Sequence, residues 1–88
     1  MSESADNSAT PKEEIDRSTL LNAAMCYAIH SKNHNLLNDI LDKGADPNFF
    51  YPNQSPKNRK KFTKALVHFY TYGMKAIEEL QTEGTVYL

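Results

Sequence analysis

Three histidines and a single cysteine are the side chains of this sequence best suited to metal binding or nucleophilic chemistry. His30 and His34 have the four-residue spacing of a helical metal pair, but the residues between them favour the end of a helix and no acid completes the ligand set. Cys26 lies in a stripe rich in alanine and methionine, without a neighbouring base, which favours a buried small hydrophobic residue over a nucleophile. These residues predict neither a metal site nor covalent catalysis.

Other catalytic patterns are also missing from the sequence. No serine lies in a glycine-x-serine-x-glycine turn, no glycine-rich loop could cradle a phosphate, and the carboxylate pairs Glu13–Glu14 and Glu78–Glu79 fall on solvated segments. The single cysteine cannot form an internal disulfide, which favours a reducing compartment. We therefore expect a cytoplasmic protein that is not an enzyme and that has no cofactor.

One segment carries five positive charges in eight residues and no acid. These are Lys57, Arg59, Lys60, Lys61 and Lys64. The segment suits phosphate or an acidic protein surface, and its alternative interpretation is a solvated helix face. Positive charge at a helix N-terminus opposes the helix macrodipole. Negative charge nearby would offset this unfavourable free energy, and it would come either from an acidic partner or from the acidic N-terminal segment folding back.

Three consecutive aromatic residues precede the basic segment, in a loop that contains two prolines. Aromatic side chains in an exposed loop are typical of interface hot spots, and the alternative is that they close the core over the first helix. The loop between Asp46 and Ser55, together with the basic segment, gives the predicted partner-binding surface. Its residues are Phe49, Phe50, Tyr51, Lys57, Arg59, Lys60, Lys61 and Lys64.

The apolar periodicity predicts four helices that position these segments. Apolar residues recur at steps of three and four from Thr19, and again, after a polar interruption, from Leu36. Glycines and prolines then mark the helix ends. The predicted order is long helix, short helix, loop, long helix, short helix, followed by an extended chain end. The third helix has its apolar stripe at Phe62, Leu66, Phe69 and Tyr70. This pattern predicts an all-α fold.

Chain length and net charge limit the size of the core and the classes of partner. With 88 residues, 40% of them apolar, the chain can build one small core, and its net charge of −1 gives no overall attraction to nucleic acid or to an anionic membrane. No apolar run approaches the ~20 residues needed to span a bilayer. Residues 1–16 are predicted to be a flexible acidic tail, and residues 17–88 to form the helical domain.

The two helical units are related by an internal offset of 40 residues, which superposes Gly44 on Gly84 and Leu37 on Ile77. The first unit covers about 18–48 and the second about 57–86. The first ends in Gly44, Ala45, Asp46, Pro47 and Asn48. Physically, glycine permits the left-handed helix end, alanine fits under a neighbouring loop, and Asp46 and Asn48 can bond backbone groups in a tight turn.

The segment 36–48 resembles the second helix and outgoing loop of an ankyrin repeat, and the segment 18–24 is similar to the opening of that repeat. The resemblance implies a short ankyrin-like stack of two helix-turn-helix repeats with a structural, hydrogen-bonded His68. The first helix is about one turn too long for the family, and the second repeat lacks the usual ending and is read as a terminal cap. Two repeats are also fewer than the roughly three that usually make a stable stack.

The resemblance further implies a non-enzymatic protein–protein interaction module that uses loop tips and helix surfaces. Ankyrin-like proteins of symbionts and pathogens often act as effectors or inhibitors, some of them delivered into a host cell. Self-association is a further expectation, because a two-repeat stack leaves an apolar face open at each end. The alternative function is a nucleic-acid-binding accessory protein that uses the basic segment 57–64.

Overall fold

The computed structural model describes residues 14–81 and 86–88, and within these ranges the protein is mainly helical. In chain order its elements are β1 (Glu14–Ile15), α1 (Arg17–His30), α2 (His34–Asp42), a 3-10 turn (Tyr51–Asn53), α3 (Pro56–Tyr72), α4 (Met74–Ile77), a second 3-10 turn (Glu78–Gln81) and β2 (Val86–Tyr87). The predicted order of long and short helices is confirmed. The helix end predicted at Gly84 lies outside the described residues. None of the described helices combines the length and the apolar character that crossing a membrane requires.

The packing of α1 against α3 forms the centre of the fold and is the most extensive contact between two elements. Ala23 and Ala24 of α1 and Ala65 of α3 are fully buried. Because alanine has a short side chain, these positions allow two helices to approach closely. Phe62 and Phe69 of α3 fill the remaining space beside the larger side chains of α1. This packing holds α3, which carries the basic segment, in a fixed orientation.

The helix α2 is joined to α1 by a tight connection and packs beside it. The Asn33 side chain caps α2 by accepting a hydrogen bond of 3.1 Å from the backbone N–H of Leu36. Such a cap satisfies one of the donors left free in the first turn of a helix. Leu36 and Ile40 are the buried residues of α2. The helix therefore turns one narrow face toward the core.

The predicted turn after α2 is present. Gly44 has a φ of +113°, which favours glycine, and Ala45 is buried. The Asp46 carboxylate accepts a hydrogen bond of 2.9 Å from the backbone N–H of Asn48, so this bond uses the backbone amide of Asn48 and not its side chain. The backbone N–H of Asp46 donates to Oδ1 of Asn22, also at 2.9 Å. This last bond ties the turn to α1.

A glycine separates α3 from α4. Gly73 has φ +62° and ψ −136°, a combination that residues with a Cβ atom rarely adopt. The chain therefore changes direction between the two helices at this residue. The apolar residues Ala76 and Ile77 of α4 then reach the core.

The two short strands pair antiparallel, with Glu14 opposite Tyr87 and Ile15 opposite Val86. Ile15 is completely buried, and the Arg17 guanidinium next to it donates a hydrogen bond of 2.8 Å to the carbonyl of Leu80. The structure thus differs from the sequence prediction, which placed the whole of 1–16 in a flexible tail. Residues 1–13 of that predicted tail lie outside the described residues.

Candidate functional site

The first two aromatic residues of the loop have different environments. Phe49 is half-buried and stacks on Phe62, with 4.8 Å between ring centroids, so it closes the core as one of the two interpretations expected. Phe50 follows it along an extended backbone and is 58% exposed. Because consecutive residues of an extended chain point to opposite sides, burying Phe49 turns Phe50 outward. Phe50 is therefore available to a partner, and Phe49 is not.

Tyr51 begins the 3-10 turn and lies against the outer surface of α3. Its ring centroid is 5.6 Å from that of Phe62, and its hydroxyl is 3.4 Å from Oγ1 of Thr63. The side chain remains 41% exposed. One side of the ring is thus supported by α3 while the rest faces solvent, which limits the conformational entropy lost on binding.

The cations of the basic segment spread around the exposed part of α3. Residues three and four positions apart share one helix face, so Arg59 and Lys60 both lie one turn before Thr63, the residue that Tyr51 contacts. Lys57, Lys61 and Lys64 follow one another at the same spacing, and we call these three residues the lysine stripe; Lys60, three positions from Lys57 and four from Lys64, borders it. The structure therefore brings together only part of the predicted cationic site.

Asp16 lies near one lysine of the stripe, Lys61. Burial by itself would raise the pKa of the Asp16 carboxyl, but hydrogen bonds from Thr19 and Ser18 and the positive charge of Lys61 outweigh this effect and lower the pKa. The hydroxyl of Ser18 donates to the carboxylate at 2.8 Å. The middle lysine of the stripe therefore lies close to the start of α1, where the N-terminal chain enters the fold.

The exposed surface beside Tyr51 continues toward the end of α3. Val67 lies one turn beyond Thr63, and Tyr70 lies one turn further on; both are at least half exposed. The Tyr70 ring contacts the Tyr27 ring edge-on at 5.5 Å, and its hydroxyl is hydrogen-bonded to Nδ1 of His30. The sequence analysis placed Tyr70 on the apolar stripe of α3, and the structure leaves it half exposed at the border of that stripe, because α1 covers the side of Ala65 and Phe69.

We call the exposed side chains around Tyr51 on α3, together with Phe50 of the preceding loop, the outer face. It consists of Phe50, Tyr51, Arg59, Lys60, Thr63, Val67 and Tyr70. The outer face combines aromatic groups with two cations. No acidic residue occurs between Asp46 and Glu78, so the α3 residues of this face are surrounded along the chain by neutral and positive side chains alone.

A groove of about 830 Å³ lies between α3, α4 and β2 and adjoins the outer face, because Val67 belongs to both. Its lining includes Tyr72, Lys75 and Tyr87. Within it, Nε2 of His68 is 2.6 Å from Oε1 of Glu79, which joins α3 to the second 3-10 turn. This hydrogen bond is the kind of structural contact that the sequence predicted for His68.

The residues considered for catalysis or metal binding are arranged for neither. Burial raises the pKa of the half-buried Cys26 thiol, which keeps it protonated and weakly nucleophilic. The helix is interrupted between His30 and His34 by Lys32, which has a φ of +57°. Within 14–81 and 86–88, no three histidine, cysteine or acidic side chains are grouped as metal ligands.

Comparisons with known proteins return nothing: no family model, no curated protein and no solved structure matches this chain. The resemblance to ankyrin repeats therefore stays a prediction.

Proposed function

We propose that the protein is a non-enzymatic interaction module that binds a protein partner through the outer face. The observation that carries the proposal is the position of Tyr51, whose ring contacts Phe62 and Thr63 of α3 and still faces solvent, one helical turn from Arg59 and Lys60. An aromatic side chain already held in place loses little freedom on binding, and tyrosine and arginine are enriched at interface hot spots.

The chemistry of the outer face defines the partner. Phe50, which is 58% exposed, is suited to an apolar pocket. Arg59 and Lys60 are suited to carboxylates at the rim of that pocket, where charge complementarity speeds association and selects among partners. We therefore infer a partner with an apolar pocket bordered by acidic residues. Binding of this kind acts by occupying the partner's surface, as an effector or inhibitor does.

Nucleic-acid binding by the basic segment is the alternative function. A duplex or single strand is held by cations that track its phosphates. In this structure the five cations of the segment spread around the exposed part of α3 and do not form a single row, and Lys61 lies near the carboxylate of Asp16. This distribution favours a small acidic protein surface over an extended row of phosphates.

Capture from a cell lysate with matched variants tests the proposal. Three tagged full-length proteins are compared: wild type, Phe50→Ser, and Phe49→Ser as a control for packing. Bound material is identified by mass spectrometry with and without nuclease, and the fold of each variant is checked by circular dichroism. We expect a stoichiometric protein that survives nuclease, and we expect Phe50→Ser to weaken its binding by about 30-fold, a loss of about 2 kcal/mol, while keeping the wild-type fold. Phe49→Ser should lose stability instead.

A second pair of variants tests the charged part of the outer face. Arg59→Gln with Lys60→Gln should slow association with the captured protein, while Lys57→Gln with Lys61→Gln removes as much charge from the lysine stripe and should leave the association rate within about twofold. Retention of the partner by both Phe50→Ser and Arg59→Gln/Lys60→Gln would refute the proposal. Capture of nucleic acid alone, with a steep loss between low and physiological salt, would establish the alternative.

A further inference from the structure

The groove between α3, α4 and β2 is lined by exposed aromatic side chains as well as by charged ones. Tyr72 belongs to α3 and Tyr87 to β2, and each is 58% exposed. The Tyr72 ring lies 4.9 Å from the His68 ring, which supports it from one side. Exposed aromatic groups gathered in one groove indicate an interaction surface more strongly than isolated ones do. The groove is therefore a surface that a binding partner would cover.

The charged side chains of the groove fall into two groups. His68 and Glu79 are hydrogen-bonded to each other, and Lys64 also has an interaction of its own. Lys75 and Glu78 are both exposed, and neither forms an ion pair with another of the described residues. They lie three positions apart, where α4 passes into the second 3-10 turn. The groove thus offers one ammonium and one carboxylate to a partner.

These two opposite charges form a self-complementary pair. A dimer with two-fold symmetry uses the same surface twice, so each contact across the interface is formed a second time with the roles of the copies exchanged. When Lys75 of one copy lies opposite Glu78 of the other, the symmetry therefore forms two ion pairs. A partner that carries only one sign of charge would attract one of these residues and repel the other. The net charge of −1 adds little repulsion between two copies.

The exposed tyrosines determine the size of the apolar contact. A buried tyrosine covers about 150–250 Å², so at 58% exposure each of these two rings still offers about 90–150 Å². Because a two-fold dimer contains four such rings, they supply about 350–600 Å², compared with about 1,600 Å² for a standard interface. The rest of the groove lining adds to this area. We therefore expect a weak dimer whose amount depends on the protein concentration.

We propose that two copies of this protein associate through their grooves, with Lys75 of each copy paired to Glu78 of the other and the tyrosines packed between them. Phe50 and Tyr51 do not line the groove, so they stay open to a different partner. The sequence already predicts self-association, and the groove identifies residues for it. The inference does not depend on the function proposed for the outer face, because both participants are copies of this chain.

Sedimentation equilibrium of the full-length protein, from micromolar to millimolar concentration, tests the proposal. We expect the mean mass to rise with concentration toward twice the mass of one chain. Lys75→Glu alone and Glu78→Lys alone should each raise the dissociation constant at least about tenfold, because each variant places like charges opposite one another at two symmetry-related positions. Circular dichroism checks that each variant keeps the wild-type fold.

Charge exchange separates this contact from a general effect of charge. The double variant Lys75→Glu/Glu78→Lys restores both ion pairs and should return the dissociation constant to within about threefold of wild type. An equimolar mixture of the two single variants should also dimerise, because one copy then supplies both anions and the other both cations. Lys57→Glu changes the net charge as much as Lys75→Glu but lies outside the groove, so it should leave the dissociation constant unchanged.

Three results would overturn the proposal. The first is a single mass, that of one chain, at every concentration. The second is a dimer that neither Lys75→Glu nor Glu78→Lys weakens, which would place the contact on another surface. The third is a double variant and a mixture that both remain monomeric although each protein is folded, because Lys75 and Glu78 would then not lie opposite each other.

Discussion

Replacing Ile15 with alanine should destabilise the protein far more than its place near the N-terminus suggests. The side chain is 0% exposed and belongs to the same buried cluster as Phe69 and Leu80. Truncation of a buried isoleucine to alanine costs about 2–5 kcal/mol, part of which is the free energy of the cavity left behind. Since Ile15 lies on a strand of only two residues, the backbone can move to fill part of the cavity. We therefore expect the free energy of unfolding to fall by about 2–3 kcal/mol.

The size of this effect can be compared with the total stability. A chain of this length has a free energy of unfolding of about 4–13 kcal/mol, at 0.05–0.15 kcal/mol per residue. The substitution therefore removes a large share of it, and the melting temperature should fall by about 8–24 °C, at 4–8 °C per kcal/mol. Urea denaturation followed by circular dichroism measures the change, with the m-value showing that both proteins expose similar surface on unfolding.

Ile29→Ala is the matched control, because it removes the same atoms from a residue that is 52% exposed. Ile29 lies on α1, where alanine is the better helix former, so this variant should differ from wild type by less than about 1 kcal/mol. If Ile15→Ala is destabilised no more than Ile29→Ala, the assignment of Ile15 to the core is refuted, and with it the pairing of β1 with β2.

Two further substitutions test the turns and the charges at the ends of helices. Gly73→Ala should cost about 1–3 kcal/mol, measured by thermal unfolding, because φ +62° and ψ −136° are strained for alanine; an unchanged melting temperature would contradict this backbone conformation. Asp16→Asn should cost no more than about 0.5 kcal/mol, since the carboxylate is exposed and its interactions are screened. The pKa of Asp16 is lower in the folded protein than its usual value of 3.8, so its contribution is present above pH 3.8 and is lost as the pH falls through the folded pKa. The difference in free energy of unfolding between wild type and Asp16→Asn should therefore be constant from about pH 5 to 7 and vanish in strong acid. A difference that grows toward low pH would show that the pKa of Asp16 is raised on folding and not lowered.

The helices were predictable from the sequence because their signals are local. Gly44 and Gly73 adopt positive φ values at the predicted helix ends, and Ser55 caps α3 directly before Pro56. The turn around Asp46 was also predictable, since the hydrogen bond between its carboxylate and the backbone N–H of Asn48 joins residues two positions apart. In each case the residues that decide the structure lie within one turn of one another.

The packing of the candidate site was not predictable in the same way. A run of three aromatic residues does not indicate which of them faces inward, and the answer depends on Phe62, which receives Phe49 and leaves Phe50 outside. Tyr70 has the spacing of a core residue, yet it lies at the border of the surface that α1 covers. The neighbouring residues could not show that Ile15 belongs to the core, because its burial depends on pairing with β2, which lies at the far end of the chain.

The pairing of Ile15 with Val86 also has a consequence for the order in which the fold assembles. The two residues are 71 positions apart, whereas α1 and α2 are joined by only a few residues. Closing a long loop costs entropy that is not recovered until the distant contact forms, so the helix pairs gain their contacts early and the strands meet late. The strand pair therefore forms after the helices have packed together, and it is the first part to open when the native state fluctuates. Its backbone amides should exchange with solvent sooner than those of α1 and α3.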